Sequence, residues 1–160
     1  MAGAKYGSLF LTEFKETMNL PFLASPQAYF RGARQIPGAN LNMGWQVFTR
    51  PIHLEKEPHT HDVDEYLIFL GSKLPDVFSS FKAEVDFWIG KEQEYHLINE
   101  ATIIFIPKGL LHCPLNFRII NEPILFQAIL LSPRFTKRMG GKDYAYDGPN
   151  LHDKSIDSVT

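Results

Sequence analysis

Hydrophobic and polar positions alternate most cleanly in "FKAEVDFWIG" (81–90). There Phe81, Ala83, Val85, Phe87 and Ile89 fall on one face, with Lys82, Glu84 and Asp86 on the other. A period of two marks a strand with one buried face. Short runs rich in aromatic and branched residues also occur at "MGWQVFTRPI" (43–52), "EYLIFLG" (65–71), "EYHLIN" (94–99), "ATIIFIP" (101–107) and "ILFQAILLS" (124–132). Gly, Pro, Asn or charged turns bound them, and no helical pattern separates them. This predicts an all-β chain, an antiparallel sandwich or barrel rather than an α/β sheet. The first 30 residues are less regular. Ser8 is placed to cap a short helix through Met18, and Pro21 and Pro26 then keep the chain extended or turning. No repeat or composition shift marks a domain boundary. The expected organisation is an N-terminal arm over 1–39, packing on the barrel or on a dimer partner, a barrel over 40–141, and a loosely held polar tail over 142–160 containing "DGPN".

Composition narrows the function. The chain has 160 residues and is 44% hydrophobic, enough for one domain that buries roughly 70% of its unfolded surface without staples. A lone cysteine, Cys113, excludes an intramolecular disulfide and points to a reducing, cytoplasmic setting. A net charge of −2 provides no dominant basic face for nucleic acid or an anionic membrane. The densest basic cluster, "PRFTKRMGGK" with Arg134, Lys137, Arg138 and Lys142, reads as a solvated loop or helix face. No apolar run approaches the ~18 residues of a membrane span. Glu13, Lys15 and Glu16 interrupt the N-terminal apolar patch too early for a signal peptide.

Candidate chemistry concentrates in "HTHDVDEYLIFLG" (59–71). On a strand, His59 and His61 share a face about 6.6 Å apart, so both imidazoles can address one ion. On a straight strand Glu65 would lie about 13 Å beyond His61. If the chain turns at "DVD" (62–64), Glu65 returns beside the histidines and the Asp residues serve the turn. In "IPKGLLHCPLNF" (106–117), Pro107 and Gly109 punctuate the end of a strand, and His112 opens the next extended segment, from which it can point into the same interior. Three neutral imidazoles and one carboxylate are a usual ligand set for a divalent transition ion.

These two stretches resemble the motifs of the cupin superfamily. The first, H-x-H-x3-E followed by Gly, is met by His59, His61, Glu65 and Gly71. The second, P-x-G-x2-H-x3-N, is met by Pro107, Gly109, His112 and Asn116. His53 and Ala101 stand where each motif usually opens with Gly, and Gly71 follows Glu65 one residue early. The resemblance implies a double-stranded β-helix (jelly-roll) barrel with a metal in its mouth, held by His59, His61, Glu65 and His112, with Asn116 structural. It implies one divalent transition metal per chain, Fe or Mn first and Ni, Zn or Cu as alternatives. It also implies a small-molecule ligand or substrate and a homodimer, for which "YGSLFLTEF" (6–14) is a covering strand.

Around the ion, Glu84, Gln46, Arg50 and Gln127 are candidates to orient a substrate or move protons, and Phe48 and Phe69 to line an apolar pocket. Tyr66 opposes Glu65 in parity and should point outward. His53 and His96 read as strand-surface residues, and Cys113 as a buried inert thiol directed away from the ion. The functions open to such a site are a metal-dependent enzyme of dioxygenase, isomerase or lyase type, a non-catalytic small-molecule binding or sensing module with a structural metal, and a storage role. No P-loop, G-x-S-x-G elbow or G-x-G-x-x-G supports other chemistry.

Overall fold

A computed structural model describes residues 5–146. Its strands are β1 (Lys15–Glu16), β2 (Gln27–Phe30), β3 (Asn42–Phe48), β4 (Ile52–Glu55), β5 (Glu65–Gly71), β6 (Ala83–Ile89), β7 (Glu94–Ile98), β8 (Thr102–Ile106), β9 (His112–Ile120), β10 (Ile124–Leu130), β11 (Phe135–Met139) and β12 (Lys142–Tyr146). They form a six-stranded sheet in the order β1-β2-β3-β10-β5-β8, a four-stranded sheet in the order β4-β9-β6-β7, and the hairpin β11-β12. The chain is therefore all-β, as its alternation predicts, and a jelly-roll barrel with an N-terminal extension, as the cupin resemblance implies.

The apolar faces of the two sheets meet in one core. Phe48 from the six-stranded sheet stacks on Phe117 from the four-stranded sheet at 4.0 Å between ring centroids, and Phe126 meets Phe117 edge-on. Phe69, Phe87, Val85, Ile106 and Ile124 complete a cluster shut off from solvent. Each such side chain contributes roughly 1.5–3 kcal/mol relative to exposure. The alternation of residues 81–89 is realised as expected, with Phe81, Ala83, Val85 and Phe87 buried. Gly71 is required by packing, because a Cβ there would collide with Ser80 and the backbone of Phe81.

Three local expectations change. The run 43–52 is not one strand: it breaks over residues 49–51, so that β3 and β4 enter different sheets and Arg50 sits exposed at the corner. No helix spans 8–18. Only a single 3-10 turn forms, at Gly7–Leu9, and the Gln27 side-chain oxygen accepts the Met18 N–H at 3.1 Å, tying that stretch to β2 instead. "PRFTKRMGGK" is a hairpin rather than a solvated loop or helix face. Gly140 and Gly141, at φ 57° and 77°, supply the two left-handed residues a tight reversal needs. Lys142–Tyr146 is its second strand, whereas "DGPN" and the rest of the tail lie outside the described residues. Part of the arm, β1 and β2, extends the six-stranded sheet through β3.

Candidate metal centre

The turn at residues 62–64 decides the geometry. His59 exchanges both backbone hydrogen bonds with His112, at 3.0 and 3.1 Å. After the bend at Asp62–Val63, Asp64 accepts the Lys108 N–H at 2.8 Å, and the chain re-enters as β5 with Glu65 first. Glu65 Oε2 then lies 3.0 Å from His112 Nε2 and 3.4 Å from His61 Nε2. Ligand atoms of His59, His61 and His112 all fall within 4.8 Å of one another. Gly109, at φ 79°, lets the loop before His112 fold back so that its N–H reaches the His61 carbonyl at 2.8 Å.

His112 enters the interior through an irregularity. Leu115 and Phe117 face the core, so strict alternation would carry Cys113 inward and His112 outward. Cys113 adopts φ 76° and the β6–β9 register shifts between Phe87 and Ile89, so both residues are buried. Cys113 is buried, as expected of an inert thiol, although it does not arrive there by regular alternation. Burial, then Glu55 and Glu65, pushes its pKa well above the usual thiol value, although Lys137 works against them.

Each imidazole is oriented by a backbone carbonyl at Nδ1: Glu57 for His59 at 3.4 Å, Leu110 for His112 at 3.0 Å, and Thr136 for His61. With Nδ1 donating, Nε2 presents a lone pair. The Nε2 atoms of His61 and His112 and Oε2 of Glu65 are buried without a hydrogen-bond partner despite their proximity, since their geometry suits convergence on a common point rather than bonding to one another. This is the donor set a divalent transition ion needs, and the residues fit one. Burial lowers the His59 pKa to about 2, helped by His112, Lys137 and His61 and opposed by Glu65. For His61 burial acts the same way, but the nearby Glu65 carboxylate and the Thr136 carbonyl outweigh it and raise its pKa. Glu65 is held low, because His112 and His61 outweigh the effect of burial.

The other candidates are not gathered here. Glu84 faces outward and pairs with Arg118 at 2.7 Å on a half-exposed surface. Arg50 is exposed, and Gln127 lies on the outer face opposite Trp45 and Ile68. Gln46 is buried, but it stands in the row of Phe126 and Phe69, which lies about 13 Å along β5 from Glu65, and it is two strands across as well. Phe48 and Phe69 fill the core instead of lining a pocket. Tyr66 is on the outer face beside Phe105, His96 pairs with Glu94 at the surface, and His53 lies across from Asn116, which donates to Asp86 at 3.0 Å. Sequence reasoning passed over Glu55, Thr136 and Lys137. Lys137 is buried beside the centre with Nζ 3.1 Å from Glu55 Oε2. Its signal was the alternation of "FTKRM" before Gly-Gly. A cleft of about 540 Å³, lined by residues that include His61, Lys108, Lys137, Arg138 and Tyr144, opens beside the centre.

No family model and no curated protein matches this sequence. Solved structures with a similar fold include Peruvianin-I, a cysteine peptidase from Thevetia peruviana latex. It is 15% identical over 86% of this chain and 80% of that chain, with a TM-score of 0.52. The oxalate decarboxylase of Lactobacillus farciminis, in its formate complex, is 11% identical over 79% of this chain and 33% of its own, with a TM-score of 0.50. An oxalate oxidase is 16% identical over 83% of this chain and 64% of its own, with a TM-score of 0.49. The chain thus spans a third of the decarboxylase and just under two thirds of the oxidase. At such identities the likeness is one of fold. Among the described residues no helix is long and apolar enough to cross a membrane.

Proposed function

Proceeding from the cupin fold of this chain, we propose that it is a metal-dependent enzyme acting on a small organic molecule at an ion held by His59, His61, Glu65 and His112. One observation carries this reading: the buried donor atoms of His61, His112 and Glu65 converge with no hydrogen-bond partner. Each such orphan costs about 1–3 kcal/mol in a site closed to water, a cost that a bound cation removes. The donor set suits Fe or Mn and accepts Ni, Zn or Cu. When bound, such an ion supplies Lewis acidity or one-electron chemistry of the kind used in dioxygenation, isomerisation and elimination. The chain's own contribution is positional. Carbonyls hold the imidazoles with Nε2 free, Glu65 stays ionised to balance charge, and burial excludes bulk water. The cleft beside His61 is where a small molecule approaches.

Elemental analysis of the purified or reconstituted protein is expected to find close to one transition metal per chain, and His61→Ala or His112→Ala to lose most of it. A wild-type protein that takes up no metal would overturn the assignment. Turnover is then read as oxygen uptake or product formation across oxalate, other small acids, ketones and phenols. A second reading, a non-catalytic binding module with a structural ion, draws on the burial of all four ligands, none more than 4% exposed. A metal-loaded protein that binds a panel member and returns it unchanged favours that reading. We also propose that the working unit is a homodimer, supported by the solvent-facing Tyr6, Leu9 and Phe10 of the arm and by Ile103 and Phe105 on the edge strand β8.

A further inference from the structure

Two of the three imidazoles are oriented locally: the carbonyls of Glu57 and Leu110 lie two residues before His59 and His112. The third is not. His61 Nδ1 meets the carbonyl of Thr136, 75 positions later and in a hairpin outside both sheets. A strand outside the two larger sheets needs its own attachment to hold an imidazole in place. On one side Arg138 exchanges both backbone hydrogen bonds with Thr60, at 2.9 and 2.8 Å. On the other, Lys137 is buried at 5% exposure, and its Nζ lies 3.1 and 3.3 Å from the two carboxylate oxygens of Glu55. Glu55 is in position because the β4–β9 register shifts between His53 and Glu55, setting it opposite the inward-facing Leu115. Thr136 Oγ1 also reaches Asp62 at 3.4 Å.

We propose that Lys137 is a positioning residue of the metal centre: its ion pair with Glu55 clamps β11 to the barrel mouth, so that the Thr136 carbonyl holds His61 with Nδ1 protonated and Nε2 aimed at Glu65 and His112. This rests on the metal reading above. Stability alone does not account for the pair, since a buried ion pair is often no more stabilising than apolar residues of similar volume. Outer partners of metal-binding histidines set tautomer and ring orientation, and losing one typically costs 10–100-fold in metal affinity. The exposed pair Arg118–Glu84, at 2.7 Å, lies on the outer face away from the centre and serves as a control for removing a paired carboxylate elsewhere.

The test compares wild type, Lys137→Met, Lys137→Arg, Glu55→Gln and the control Glu84→Gln. Manganese and zinc affinities are measured by chelator competition, and the ring nitrogens of His61 by NMR of metal-free protein, at a pH above the end of the His61 titration followed in the same spectra. Lys137→Met and Glu55→Gln are expected to weaken metal binding by about 10–100-fold and to mix the two His61 tautomers. Lys137→Arg should retain most of the affinity, and Glu84→Gln all of it. Glu55→Gln preserves shape and carries the test should Lys137→Met fold poorly. Wild-type affinity and a single His61 tautomer in the clamp variants would overturn the proposal. So would a loss of affinity no greater than that in Glu84→Gln. A wild type that binds no metal would instead remove the metal reading, while the tautomer would still decide whether the clamp orients His61.

Discussion

His59 carries the strongest electrostatic penalty in the centre. Burial first, and then the neighbouring His112, Lys137 and His61, bring its pKa to about 2 against an ordinary 6.5. Without metal, the unfolded chain takes up this proton near pH 6.5 and the folded chain does not, so stability falls on acidification by up to about 1.4 kcal/mol per pH unit. His61, whose pKa is raised, contributes stability that is complete below 6.5 and is lost as pH rises through its folded value, so it adds no slope below 6.5. Glu65, held low, contributes stability above about pH 4.5 that is lost toward pH 2. Urea unfolding of metal-free protein at pH 7, 6 and 5 is expected to show this decline, and a flat profile would contradict it. The histidine pair was legible because a two-residue spacing on a strand places both rings on one face. The Thr136 carbonyl was not, because a main-chain group has no side-chain signature and its partner is 75 positions away.

The β11–β12 hairpin is the element whose role changed most. Its charges read as solvent-facing, as the side chain of Arg138 is, yet Lys137 turns inward to Glu55. The reversal depends on left-handed Gly140 and Gly141. Gly141→Val would force a branched side chain into that region at a cost of about 1–3 kcal/mol, whereas Gly140→Asn should be nearly neutral because Asn tolerates it. Faster amide exchange at Thr60 and Arg138 in Gly141→Val, but not in Gly140→Asn, is the expected result. Identical exchange in both would mean that the hairpin does not depend on its turn. The break between β3 and β4 was hidden for a related reason. Val47, Phe48 and Ile52 are all strand formers, and only the requirement that the chain change sheets separates them.

For the whole molecule, the open question is what covers the apolar surface left on one chain. Phe10 is 79% exposed and Ile103 66%, more than an isolated small barrel would be expected to leave to water. Light scattering after size exclusion is expected to give twice the chain mass, with Phe10→Ser and Ile103→Lys shifting it toward one chain. A wild-type monomer at micromolar concentration would reject the dimer. The sequence by itself determined the all-β architecture and the inward face of β6, because a period of two commits side chains to opposite sides whatever surrounds them. It also placed His59 and His61 on one face and offered the turn that returns Glu65, because spacing and turn chemistry act over a few residues. Tertiary structure alone decided which polar candidates face the His59, His61, Glu65 and His112 cluster. It turned Glu84 and Gln127 outward, set Gln46 two rows of side chains too deep, and brought Lys137 in from a strand beyond the barrel. Alternation specifies a side relative to neighbours in the same strand, whereas proximity to the cluster depends on sheet order, on register, and on irregularities such as the left-handed Cys113 that swings His112 inward.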